Sequence, residues 1–213
     1  MAEKGNDMVV SDRNRKFVKY LLLILAVIAF DQVTKWIVTA TIPMWNEGPV
    51  LIGNDFLRLV HIRNKAAGFG LGSSLSGFAR FVFIYFVPCA LMAYLLYLLY
   101  RGEEAGIRSE LEKISFCLII GGGIGNLIDR TFRPSGVVDF IDVKFYGIFG
   151  MDRWPAFNMA DSCVVIGAIL LVISTIFVNR VRFKGSSPVS SSSSEVDSRS
   201  NARLASDERK RGK

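Results

Sequence analysis

Only one histidine, His61, occurs in the 213 residues. A two-histidine metal motif such as H-E-x-x-H is therefore excluded, although a carboxylate-rich metal site is not. Cysteine is scarce as well. Cys89, Cys117 and Cys163 each lie inside an apolar run, where thiols pack as small hydrophobes, so no disulfide framework is expected. Charge is missing where a soluble domain would carry it. Phe81–Tyr100 contains no charged residue at all. No internal repeat stands out.

What is present is apolar surface. Hydrophobic residues make up 51% of the chain and are gathered into long runs, the mark of a bilayer solvent. The formal net charge of +7 invites a nucleic-acid reading, but its distribution argues against one. Much of the excess sits from Arg180 onward, on a tail beside a membrane.

Four membrane helices are expected, at about 20–38, 81–100, 107–128 and 156–178. Together they make an all-α membrane protein: a four-helix transmembrane bundle within residues 20–178. Residues 1–19 read as a polar N-terminal segment. The first run resembles a signal peptide, with basic residues before it and Val38-Thr39-Ala40 near its end. Asp31 interrupts it early, so a retained anchor is expected. The N-terminal flank, the Arg101–Lys113 loop and the tail are basic and fall on one side, which makes both termini cytoplasmic. In the two outer loops, Phe56–Arg63 and Gly136–Phe145 are rich in β-branched and aromatic residues and are expected to form a small extracytoplasmic β-element. The Ser-rich basic tail, 184–213, lacks a core-forming pattern and reads as disordered.

Ionisable groups at membrane depth are costly and usually have a function. Asp31, Asp129, Asp139 and Asp161 are the candidates. Asn158 and Asp161 are three apart, which suits either a capping pair or an amide orienting a carboxyl. Asp139 lies among Val137, Val138, Phe140 and Ile141, a setting that raises a carboxyl pKa. Asp142, three positions on, points to the opposite face of a strand. Asn126 and Asp129 share a helix face, and the adjacent Arg130 is available to a carboxylate or a lipid head. Gly121 and Gly125 have the spacing for close helix packing. Two carboxyls sharing a proton hydrolyse a peptide without a covalent intermediate, one as base on water and the other as acid. Ser162 beside Asp161, and Ser73 and Ser74 near His61, form no nucleophile–base motif.

These motifs resemble the prokaryotic lipoprotein signal peptidases, signal peptidase II. The segments that carry the resemblance run in order: Asp31-Gln32-Val33-Thr34-Lys35; Asn64-Lys65-Ala66-Ala67-Gly68-Phe69-Gly70; Gly121 through Arg130; Val137-Val138-Asp139-Phe140; and Phe157-Asn158-Met159-Ala160-Asp161-Ser162. The resemblance covers about residues 20–178. One departure is that the family segment usually reads N-x-G-A-A-F-G, whereas here Ala66 and Gly68 exchange the small residues. The resemblance implies an aspartic endopeptidase with Asp139 and Asp161 as its catalytic pair. It makes Asn64, Asn126, Arg130 and Asn158 lining or supporting residues, with Asp31, Lys35 and Asp129 at further motif positions. It implies no metal and no cofactor. The substrates would be diacylglyceryl-modified prolipoproteins cut before the lipidated Cys. The enzyme would sit in the bacterial cytoplasmic (inner) membrane among membrane lipids, as a monomer with no nucleic-acid partner and its active site near the outer face. The main rival from another class is a small transporter whose intramembrane aspartates relay protons or cations. A non-enzymatic membrane assembly factor is a third reading.

Overall fold

The structure is a computed structural model. It describes the backbone of residues 2–53, 55–65 and 77–185, and side chains within 13–176 of these. The Ala66–Gly70 part of the second motif and the tail beyond Gly185 lie outside the described residues. Among the described residues four helical segments are long and apolar enough to cross a membrane: Arg13–Thr41, Gly77–Ala105, Glu110–Phe132 and Met159–Ile176.

The first helix, α1, runs from Ala2 to Thr41, so the polar N-terminal stretch is helical rather than a separate segment. Its Arg, Lys and Asp residues are compatible with a helix, and an apolar-run criterion does not detect them. The second span is composite. A short helix α2 (Gly77–Phe81) passes through a wide π-type turn (Val82–Phe86) into α3 (Val87–Arg101). Pro88 explains the widening. It lacks an N–H and its ring would clash with the carbonyl four residues earlier, so the helix loosens there. The next helix, α4 (Glu110–Phe132), begins three residues later than expected. Ser109 and Glu112 form a reciprocal capping box there. The last, α5 (Met159–Gly185), begins at Met159 rather than near Ala156 because Asn158 caps it.

Apolar side chains face outward over much of the bundle. Leu22, Leu25, Trp36 and Tyr94 are all more than half exposed. In a bilayer this surface meets lipid and needs no further cover. Inside, Ile24, Leu95, Phe116 and Ile120 form the main cluster. Small residues set how closely α4 approaches its neighbours. A methyl group at Gly121 would sit 2.7 Å from Val27 Cβ, and one at Gly125 would sit 2.7 Å from Asp31 Oδ2. The Gly121/Gly125 spacing thus seats α1 directly on α4.

One end of the bundle carries a three-stranded antiparallel sheet in the order β1 (Glu47–Ile52), β2 (Leu57–Asn64), β3 (Val137–Val143). The two predicted strands are β2 and β3; β1 was not foreseen. It is an edge strand containing Pro49 and its register with β2 shifts twice, so it lacks the alternation of a central strand. A second cluster, Val38, Ile42, Val138 and Phe140, joins the end of α1 to β3. After β3 the chain doubles back along it. Trp154 N–H donates to Val143 O at 2.9 Å, and Phe157 exchanges backbone hydrogen bonds with Ile141 at 2.8 and 3.1 Å. This return delivers Asn158 and the start of α5 to the middle of β3.

Candidate active site

The site begins with the buried amide of Asn158. Its Oδ1 accepts the Asp161 N–H at 2.9 Å, and Asp161 Oδ2 accepts the Asn158 N–H at 3.1 Å. This reciprocal pair caps α5 and fixes the amide orientation, because the oxygen must face the helix N–H. The Asn158 NH2 group is thereby turned toward β3, where it donates to Asp139 Oδ1 at 2.8 Å. The capping role is realised; the Asn158 amide meets the carboxyl of Asp139, while the Asp161 carboxyl meets the Asn158 backbone N–H rather than its amide.

Asn126 on α4 completes the link. Lys35 Nζ donates to its Oδ1 at 3.0 Å, and a lysine can only donate. The Asn126 NH2 group must therefore face away from Lys35, and it donates to Asp161 Oδ1 at 2.8 Å. Asn64, on β2 diagonally across from Asp139, donates to Asp139 Oδ2 at 3.0 Å. The two carboxyl groups are 22 positions apart in sequence and are held here by three asparagines.

Asp139 is 3% exposed. Burial and the charge of Asp161 push its pKa up to about 7, against the pull of the Asn64 and Asn158 N–H groups and of Lys35. Asp142 is indeed on the other face. It is clamped by Arg58 Nε at 2.7 Å and Arg153 Nε at 2.7 Å, and Arg153 also reaches Asp55 Oδ2 at 2.9 Å. These pairs tie β2, β3 and the returning segment together.

Beneath the carboxyl pair lies a buried ionic network. Lys35 Nζ lies 2.8 Å from Asp31 Oδ2 and 3.0 Å from Asp129 Oδ2, and all three side chains are 0% exposed. Asp31 Oδ1 accepts the Ala160 N–H at 2.9 Å, so α1 grips the first turn of α5. Asp129 also accepts the Val138 N–H at 3.2 Å. Sequence reasoning offered Arg130 as a partner for a carboxylate. Asp129 pairs instead with Arg133, one turn further along α4, at 3.3 Å. Arg130 is directed otherwise: its charge acts most strongly on Asp161 and Asp139, and its Nε is buried without a hydrogen-bond partner. Gln32, not singled out from sequence, bridges Asp31 at 3.0 Å and Asp129 at 3.2 Å. Its position between Asp31 and Lys35 in the first motif was the available signal. Among the described residues no three His, Cys, Asp or Glu side chains cluster as a metal site.

An apolar helical bundle that holds hydrogen-bonded carboxyl groups under a small sheet defines a polytopic membrane protein with a buried polar site. The family described as Signal peptidase (SPase) II matches residues 23–177. The chain is 39% identical over 173 residues to the lipoprotein signal peptidase of Borreliella burgdorferi (strain ZS7), covering 80% of this chain and 97% of that one. It is 43% identical over 150 residues to that of Treponema pallidum (strain Nichols), covering 70% and 78%. Two solved structures described as a bacterial membrane enzyme are also similar. Each has a TM-score of 0.58 and spans 74% of this chain; one is 31% identical over 87% of its own length, the other 32% over 92%. The chain belongs to the signal peptidase II family. It is a membrane-embedded peptidase with a mostly helical fold.

Proposed function

We infer that the protein removes signal peptides from diacylglyceryl-modified prolipoproteins by aspartic catalysis, with Asp139 and Asp161 as the catalytic pair. The observation that carries this reading is the asparagine chain from Asp139 through Asn158 and Asn126 to Asp161, closed on Asp139 by Asn64. Each amide donates to a carboxyl oxygen and none competes for the proton between them. The negative charge of Asp161 helps keep the proton on Asp139. Asp139, raised to about 7, carries a proton near neutrality and polarises the scissile carbonyl. Asp161 takes the proton of the attacking water. When the tetrahedral intermediate collapses, that proton passes to the leaving amine.

Arg130 adds positive charge beside the oxyanion, and Lys35 holds Asn126 in its productive orientation. The acyl chains of the substrate keep it in the bilayer, so the scissile bond reaches the pair by lateral approach. The sheet end of the bundle faces away from the cytoplasm and both termini are cytoplasmic. A reporter inserted at Gly147, in an open turn, is then expected on the opposite side from one fused after Arg180. The same side for both would overturn this orientation.

The mechanism is tested by the pH profile of a purified protein cutting a lipid-modified reporter in excess chelator. Turnover is expected to survive chelation. It should fall as pH rises through about 7, because Asp139 then loses the proton it must donate. Asn64→Leu removes an N–H that favours the charged form, so the basic limb should move to higher pH. Loss on chelation that a divalent metal restores, or an unmoved basic limb, would contradict the assignment.

A further inference from the structure

Arg63 precedes Asn64 on β2, so it points to the other face of the strand, away from the carboxyl pair. It is paired in register with Val138, whose N–H donates to Asp129 Oδ2. Arg133 approaches Asp129 from α4. Arg133 is thus paired with Asp129, and the charges of both act on Arg63 from nearby. Burial and Arg133 disfavour the charged form of Arg63, against the attraction of Asp129.

The donors here are not used up. Arg63 Nε and Nη1 are buried with no hydrogen-bond partner, and Arg133 Nη1 has only its 3.3 Å ion pair with Asp129. Asp129 has little left to offer, since Lys35, Gln32 and the Val138 N–H already occupy its oxygens. Asp31 is likewise taken up by Lys35, Gln32 and the Ala160 N–H, so neither carboxylate is left for Arg63. An anion with several oxygens satisfies the remaining donors, and the planar forks of two arginines match a phosphate.

The position indicates the source. Arg133 follows Phe132, the last residue of an apolar span, and Phe132 is 76% exposed. That is the depth of the lipid headgroups. Arg80, near the start of the second span, donates to Lys65 O at 3.1 Å, which brings a further cation toward the end of β2. We propose that Arg63 and Arg133 bind the phosphate of an anionic phospholipid headgroup at the sheet end of the bundle, on the face of β2 opposite Asn64.

Native mass spectrometry of the full chain in detergent tests this, with phosphatidylglycerol, phosphatidylcholine and inorganic phosphate as probes. The wild type should retain one phosphatidylglycerol about tenfold more tightly than phosphatidylcholine, a charge-assisted preference. Arg63→Gln with Arg133→Gln should abolish that preference, while Lys144→Gln, elsewhere on the sheet end, should keep it. Arg63→Lys with Arg133→Lys should reduce it, since charge remains but the fork is lost. Equal retention of the two lipids by the wild type would overturn the proposal without recourse to any variant. So would an undiminished preference in a double Gln variant with an unchanged melting temperature. Displacement of phosphatidylglycerol by inorganic phosphate at equal concentration would mark a free-anion site and overturn the lipid assignment.

Discussion

Asp139→Asn and Asp161→Asn should each reduce cleavage of a lipid-modified reporter by about 10³-fold or more, and the double variant should be no worse than either single one. In the proposed mechanism both carboxyls serve one water and one carbonyl, so losing either removes the whole proton transfer. Asn keeps the size of Asp139 and can still meet Asn64 or Asn158, so folding and substrate binding should persist. Asp139→Asn should melt near the wild type: the amide relieves the burial of a charge beside Asp161, but its NH2 must face one of the Asn64 and Asn158 donors. Asp142→Asn is expected to retain turnover but lose stability, because Arg58 and Arg153 then lose their shared carboxylate. Steady-state kinetics beside thermal unfolding separates these cases. Full cleavage by a well-folded Asp139→Asn or Asp161→Asn protein would exclude these two carboxyls as the catalytic pair.

Lys35→Met should have the largest effect on stability. Asp31, Lys35 and Asp129 are fully enclosed, and removing the one cation between two carboxylates leaves charges that neither water nor lipid can solvate. Breaking such a buried pair costs about 3–5 kcal/mol. Activity should fall further than stability alone explains, since Lys35 also fixes the Asn126 amide that donates to Asp161. Combining Lys35→Met with Asp31→Asn should recover part of the lost melting temperature, because one of the stranded charges is gone. An unchanged melting temperature for Lys35→Met would mean that the network does not hold the bundle together.

The Asn158–Asp161 cap was legible because a polar pair three apart at a helix start carries its meaning within a few positions. That Asp139 belongs beside Asp161 was implied only by the family resemblance. The Lys35 network was not legible in the same way. That Asp129 meets Lys35 and Arg133 rather than Arg130 follows from how α4 rotates against α1, which Gly121 and Gly125 set through contacts nearly a hundred positions apart. The late start of α5 depends on the chain doubling back along β3, and Phe157 gives no hint of its bond to Ile141. The irregular edge strand β1 lacks the alternation that marked β2. The span lengths were readable to within a few residues because hydrocarbon thickness constrains them directly. Arg63 and Arg133 stand 70 positions apart, and only the fold brings their charges near each other.

The central claim is that this bundle cuts a lipidated substrate beside its modified cysteine. The most direct measurement is the mass of the products when purified protein meets one prolipoprotein with and without its diacylglyceryl group. A single cut immediately before the lipidated Cys is expected in the modified substrate, and little or none in the unmodified one. Cleavage at another bond, or equal cleavage of both substrates, would contradict it.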